Sequence, residues 1–280
     1  MPERTGGDTP PAAAQMLIPH AQPLLEGRLL ARYDRFIARI ALGDHEVDAH
    51  CVNPGRMEGL VLPGARAWIS SVPPESKRKL RYTLELLQID GRFIGANTVV
   101  PNTLAELLIR AGCVPGLKRF SSLAREVRYG ANSRIDLLLR QGNRDHYVEV
   151  KNCHLVYPDG GAYFPDSVSV RAAGHLRELA RVAGSGARAS VLFVVQRADA
   201  RFVAPSRLHD PDFAAAALDA AAAGVRFRAV KLDPTPAGYR FLGTLPVRLR
   251  SPDPAKLAPY RDHLIQWSGW QRRGRRTPGP

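Results

Sequence analysis

Two segments restrict this chain more than any others: Ser133-Arg134-Ile135-Asp136-Leu137-Leu138-Leu139 and His146-Tyr147-Val148-Glu149-Val150-Lys151. Each alternates like a half-buried strand, and Gln141-Gly142-Asn143-Arg144 between them offers a Gly-Asn pair suited to a tight turn. With Gly142 and Asn143 as the turn, Gln141 faces Arg144. Counting outward sets Leu137 opposite Val148, Asp136 opposite Glu149 and Ile135 opposite Val150. Side chains alternate across a strand, so Ile135, Leu137, Val148 and Val150 share a core face, while Asp136, Glu149 and Lys151 share the other. Two acids and an amine converge there.

Directly opposed carboxylates, with Cβ atoms about 5 Å apart, repel unless a cation lies between them. Hard oxygen ligands with room for water suit Mg²⁺ or Mn²⁺ better than zinc. Lys151 is then placed to stabilise developing phosphorane charge or to position an attacking water. Glu126, on a strand expected over residues 121–130 beside the Asp136 strand, is a further metal ligand. Its alternative is a salt bridge to Arg128 or Arg134. Glu106, in a helix expected over 103–111 with Asn102 as cap, is a more remote carboxylate. On spacing alone, a solvated, salt-bridged strand face competes with the metal site.

Context narrows the choice. After the hairpin come a helix-like stretch over 167–183 and an apolar, central strand over 189–196. Asp136 followed by Glu149-x-Lys151 in that order resembles the catalytic core of the PD-(D/E)XK nuclease superfamily. A longer series of motifs goes further: Cys51-Val52-Asn53-Pro54-Gly55-Arg56-Met57, Ser76-Lys77-Arg78-Lys79, Ala96-Asn97-Thr98, Pro101-Asn102, Glu126-Val127-Arg128-Tyr129-Gly130, Ser133-Arg134-Ile135-Asp136, Val148-Glu149-Val150-Lys151-Asn152, Phe164-Pro165-Asp166 and His175-Leu176-Arg177-Glu178-Leu179. In this order they resemble the sugar fermentation stimulation protein family over about residues 24–250. The resemblance implies an α/β (α+β) chain, with an N-terminal OB-fold barrel, a PD-(D/E)XK nuclease-like mixed-sheet domain and DNA binding. The chain departs from the family pattern at Val170 and Gly174, and the segment after Arg250 lies outside it.

Charge agrees with a nucleic-acid partner. The chain carries 40 Lys and Arg against 26 Asp and Glu, a formal net charge of +14. Such an excess attracts polyanions, although arginine in an alanine-rich chain also reflects genome base composition. Residues 251–280 supply +4 of it, from Lys256, Arg261, Arg272, Arg273, Arg275 and Arg276 against Asp253 and Asp262. Cys51, Cys113 and Cys153 lack zinc-like spacing and point to a reducing compartment. Without a signal peptide or an apolar span, the expected location is cytoplasmic, away from the membrane.

These readings divide the chain into a flexible N-terminus (1–23), an OB-like domain (24–82), a nuclease-like domain (83–250) and a basic, poorly ordered tail (251–280). Strands are expected over 28–40 and 45–52 around Gly43-Asp44, and a hairpin over 83–96 around Asp90-Gly91 opens the second domain. Arg56 and the loop residues Lys77, Arg78 and Lys79, beside Arg32 and Arg35, are candidate phosphate contacts, with a solvated loop as the alternative. Arg134 joins them, as do Arg171 and His175 on one face of a helix over 168–183, where a plain polar face is the alternative. Asp166 is expected to cap that helix. His45, His50 and His154 form no ligand spacing. The expected activity is that of a Mg²⁺- or Mn²⁺-dependent nuclease using Asp136, Glu149, Lys151 and Glu126. The competing reading is a non-catalytic DNA-binding regulator. DNA is the expected partner with RNA open, and a homodimer would suit an enzyme cutting both strands.

Overall fold

The structure is a computed structural model that describes residues 16–129 and 133–273. A short first strand, β1 (Leu17–Pro19), joins the C-terminal sheet with Ile18 buried. The flexible N-terminus expected up to residue 23 is corrected for that stretch, and its residues 1–15 lie outside the described residues.

Strands β2 (Leu24–Tyr33), β3 (Ile37–Leu42), β4 (His45–His50), β5 (Arg66–Ser71), β6 (Tyr82–Ile89) and β7 (Arg92–Gly95) form a sheet in the order β4-β3-β2-β5-β6-β7, and a β4–β6 contact closes it into a barrel. The turn at Gly43, φ +63°, sets Leu42 against His45 as expected. The single strand expected over 28–40 is in fact two, because Asp34 and Arg35 both take positive φ and reverse the chain. The Asp90-Gly91 hairpin forms, but it belongs to the barrel. Main-chain pairing of β6 with β5, from Arg66↔Gln88 to Ser71↔Tyr82, carries the barrel past the expected boundary at 82.

The second half comprises α1 (Val100–Arg110), β8 (Ser122–Tyr129), β9 (Ser133–Gln141), β10 (Arg144–Cys153), β11 (Leu155–Val156), β12 (Gly161–Phe164), α2 (Val170–Gly184), β13 (Arg188–Val195), β14 (Phe202–Pro205), α3 (Pro211–Ala222), β15 (Arg226–Thr235), β16 (Gly238–Leu245) and α4 (Pro254–Leu264). A seven-stranded mixed sheet runs β1-β16-β15-β13-β10-β9-β8. The apolar run in β13 is parallel to both β10 and β15 and buried from Ala189 to Val195, as a strand covered on both faces requires. On one face Val191 and Phe193 meet Leu176 and Leu179 of α2 and Phe213 of α3. On the other, Leu192 and Val194 meet Leu104 and Leu108 of α1 together with Trp68 and Leu86 of the barrel. Each such buried side chain is worth about 1.5–3 kcal/mol relative to exposure, so the barrel and the sheet share a core.

Three local expectations are corrected. Helix α1 starts earlier than expected, with Pro101 in its first turn, so Asn102 is inside the helix and caps nothing. Helix α2 is capped by Ser169, whose Oγ accepts from Ala172 N, while Asp166 accepts from Met57 N at 3.1 Å. The tail is built rather than poorly ordered up to residue 273: Asp253 caps α4, Leu257 is buried beside Tyr157, Tyr163 and Phe202, and Gln271 bridges to Tyr33. Its apolar residues are few but spaced to bury together. Arg275 and Arg276 lie outside the described residues.

Candidate functional site

The expected turn forms, and β9 pairs with β10 from Gln141↔Arg144 to Leu137↔Val148. There the ladder stops, so Asp136 and Glu149 are not a cross-strand pair. Asp136 Oδ2 instead accepts from Val150 N at 2.7 Å, and Oδ1 accepts from Asn102 Nδ2 at 2.9 Å. The shared apolar face is corrected too. Leu137, Val148 and Val150 face the barrel, whereas Ile135 faces α2 and α3. The face changes where the neighbouring ladder passes from Arg125↔Leu137 to Val127↔Ile135, with Glu126 between them at φ +52°.

Glu149 is buried on the α2 side of β10. Its Oε1 accepts from Lys151 Nζ at 2.6 Å and also meets His175 Nδ1 from α2. Its Oε2 is buried with no hydrogen-bond partner. Burial opposes ionisation, but Lys151 and His175 hold the Glu149 carboxyl below the usual carboxylate range. Asp136 goes the other way. Burial, then the Glu149 charge, push it up to about 6 against the help of Val150 N, Lys151 and Asn102.

These groups line one cleft of ≈ 560 Å³, between the Asn53-Pro54-Gly55 turn of the barrel and the end of the sheet. Glu126, Arg134, Arg171 and His175 line it as well. Glu126 is exposed and makes no ion pair with Arg128 or Arg134. Arg171 Nε lies 3.4 Å from His175 Nε2, so these α2 residues form a connected rim. Glu106 pairs with Arg110 and Arg125 and does not line the cleft.

Four candidate contacts lie elsewhere. Arg56 is exposed, with its carbonyl accepting from Gly269 N. Lys77, Arg78 and Lys79 sit in the exposed loop between β5 and β6, where Arg78 reaches His50 and Thr83. Arg32, expected on the barrel surface, is buried, its guanidinium bound to the carbonyls of Arg35, Asn53, Gly55 and Gly269. Sequence reasoning also missed residues inside the cleft. Asn102 holds Asp136, and His154 and Asp166 form a polar floor with Nε2 3.6 Å from Oδ2. Asn102 and Asp166 fall within the ordered motifs, but only a capping role was read from them, and His154 falls outside the motifs.

The donor set suits a hard divalent cation. Two oxygen acids of opposite pKa tendency face one cleft, and a buried carboxylate oxygen is left without a partner. Among the described residues, no group of three or more His, Cys, Asp or Glu forms a ready ligand set. Mg²⁺ and similar ions characteristically take one or two carboxylates and complete their shell with water and phosphate oxygens, which this arrangement permits.

Comparison with known proteins agrees with the two-part architecture. Residues 30–96 match the SfsA N-terminal OB domain, and residues 99–238 match the sugar fermentation stimulation protein RE domain. The sugar fermentation stimulation protein homolog of Geotalea uraniireducens is 46% identical over 81% of this chain and 98% of its own length. That of Maricaulis maris is 46% identical over 76% of this chain and 91% of its own length. A solved structure of Pyrococcus furiosus SfsA in complex with Ca²⁺ superposes with a TM-score of 0.74 at 27% identity, covering 83% of this chain and 98% of that one. Among the described residues, no helix is long and apolar enough to cross a membrane. With an OB barrel docked on a mixed sheet, and both halves matched in order, the chain belongs to the sugar fermentation stimulation protein family.

Proposed function

We propose that this protein binds DNA across the barrel and the cleft and hydrolyses its phosphodiester bonds with a divalent cation. The observation that carries the reading is that Asp136, Glu149 and Lys151 line one cleft at the end of the sheet, with the free oxygen of Glu149 buried. The Ca²⁺ in the Pyrococcus furiosus relative supports a hard divalent ion, and Mg²⁺ or Mn²⁺ is the working cofactor we infer. The OB domain supports a nucleic-acid partner.

Asp136 and Glu149 would hold the cation, with Glu126 as a supporting carboxylate at the cleft wall. Bound there, the cation would supply Lewis-acid stabilisation of the phosphoryl oxygens. Lys151 keeps Glu149 ionised and presents its ammonium where negative charge develops as the phosphodiester is attacked. His175 fixes the same carboxylate from α2, so helix and strand set its position together. Arg134 and Arg171 at the rim would draw the strand's phosphates inward.

End-labelled single- and double-stranded DNA and RNA, incubated with the protein or its Lys151→Ala variant in Mg²⁺, Mn²⁺ or EDTA, test this on denaturing gels. Metal-dependent cleavage lost in the variant is the expected result and identifies the substrate class. Intact strands in every lane, with a retarded band on a native gel, would instead favour a non-catalytic DNA-binding protein.

A further inference from the structure

A second pocket, of ≈ 610 Å³, opens where β10 and β13 begin, lined by Lys118, Arg119, Arg144, His146 and Arg188 around Gly116. His146 lies five residues before Lys151 on β10, roughly 16 Å along the strand and facing the opposite side of the sheet. The pocket is therefore separate from the cleft.

Beside the pocket stands Arg228, whose Nε donates to the Pro115 carbonyl at 2.8 Å. The guanidinium lies against Gly116, where a Cβ would come within 2.3 Å of Nη2, and Gly116 has φ +79°. That backbone conformation favours glycine, and the absence of a Cβ leaves room for the guanidinium. The one acid nearby in sequence, Asp145, is paired with Arg140 at 3.2 Å. Among the described residues, Lys118, Arg119, Arg144, Arg188, Arg226 and Arg228 form no ion pair with a carboxylate. Burial, then the charge of Arg226, draw Arg228 below its usual range. Burial, then Arg228 and Arg188, push His146 down to about 4, leaving it neutral with Nε2 2.8 Å from Ser190 Oγ. Cations gathered without counter-charge repel one another, and a bound anion relieves that repulsion. Guanidinium forks beside an ammonium match the oxygens of a phosphate.

We propose that this pocket is a second, phosphate-binding site, taking the phosphate group of a free anion or of a nucleic-acid strand. It stands whether or not the cleft cleaves. The test compares wild type with the Arg144→Ala/Arg188→Ala double variant, whose side chains are exposed and so leave the fold intact, and with Arg228→Ala. Lys151→Ala is the control. Inorganic phosphate and pyrophosphate are titrated calorimetrically, and labelled single-stranded and duplex DNA by anisotropy in EDTA over a salt series, with urea midpoints as the folding check.

Anion binding weakened about tenfold in the double variant and retained in Lys151→Ala supports a free-phosphate site. DNA binding weakened about tenfold, with a salt slope shallower by about 2, supports a strand-backbone contact. Unchanged binding of both probes in folded double and Arg228→Ala variants overturns the proposal. Because no step reads cleavage, failure here leaves the hydrolytic reading intact, and an inert cleft leaves this one intact.

Discussion

Asp136 accepts the backbone N–H of Val150 at 2.7 Å, so a side chain takes over where main-chain pairing between β9 and β10 stops. With Asn102 on its other oxygen, this one carboxyl joins two strands to α1. Asp136→Ala leaves the Val150 N–H without its acceptor and should cost about 1–3 kcal/mol. Asp136→Asn keeps an acceptor and should cost less than about 1 kcal/mol, since Asn102 can turn its amide over. Urea unfolding at constant m-value reads both. Calorimetric titration with Ca²⁺ should show binding lost in each variant, and a stable Asp136→Asn that still binds the ion would remove Asp136 from the metal site.

The raised pKa of Asp136 sets a pH dependence of definite sign. Its folded value of about 6 exceeds the ordinary carboxyl value, so between about pH 4 and 6 the folded state holds the extra proton. This contribution to stability is full below the unfolded pKa and falls as pH rises through about 6. In EDTA, the stability of wild type relative to Asp136→Asn should therefore drop from pH 4 to 7 by on the order of 3 kcal/mol. A cation must displace that proton, so Ca²⁺ affinity should weaken about tenfold per unit below pH 6. A flat profile would show that Asp136 does not bind the ion.

Lys151 and His175 converge on the same oxygen of Glu149, one from the strand and one from the helix. Lys151→Met should slow cleavage at least about 100-fold, since it removes both the ammonium and a partner that keeps Glu149 ionised. DNA affinity in EDTA should change less than about threefold, because Arg134 and Arg171 remain at the rim. His175→Gln retains a polar contact and should slow cleavage by about tenfold. Single-turnover gels and anisotropy separate the two effects, and equal losses of binding and cleavage would make Lys151 a plain anchoring residue.

How much of this was legible follows from what each signal depends on. The hairpin turn, the Asp90-Gly91 turn and the buried β13 depend on local pattern, and the structure has them where alternation and turn residues put them. The face switch at Ile135 falls beside the positive φ of Glu126 in a neighbouring strand, which no alternation within β9 reveals. Asn102 was expected as a cap because asparagine before a helical pattern is usually one; Pro101 moved the helix start and freed the amide for Asp136. Arg32 read as a surface cation, since the sequence does not show that four carbonyls from the barrel turns and the tail surround it.

The tail is the largest departure and carries the last prediction. Leu257 of α4 is 2% exposed against Tyr157, Tyr163 and Phe202, and Val61 N donates to the Trp267 carbonyl across to the barrel. Trp270 completes the attachment, its ring centroid 4.9 Å from the guanidinium carbon of Arg35 at the cleft wall. Ending the chain at Arg250 uncovers this apolar surface and should cost about 2–4 kcal/mol, read as a lower urea midpoint. Trp270→Ala loses mainly the cation–π contact and should cost only about 0.5–1 kcal/mol, while freeing Arg35 to meet phosphate. Its DNA affinity should therefore hold or rise slightly, and a marked fall would mean that Trp270 itself contacts the strand.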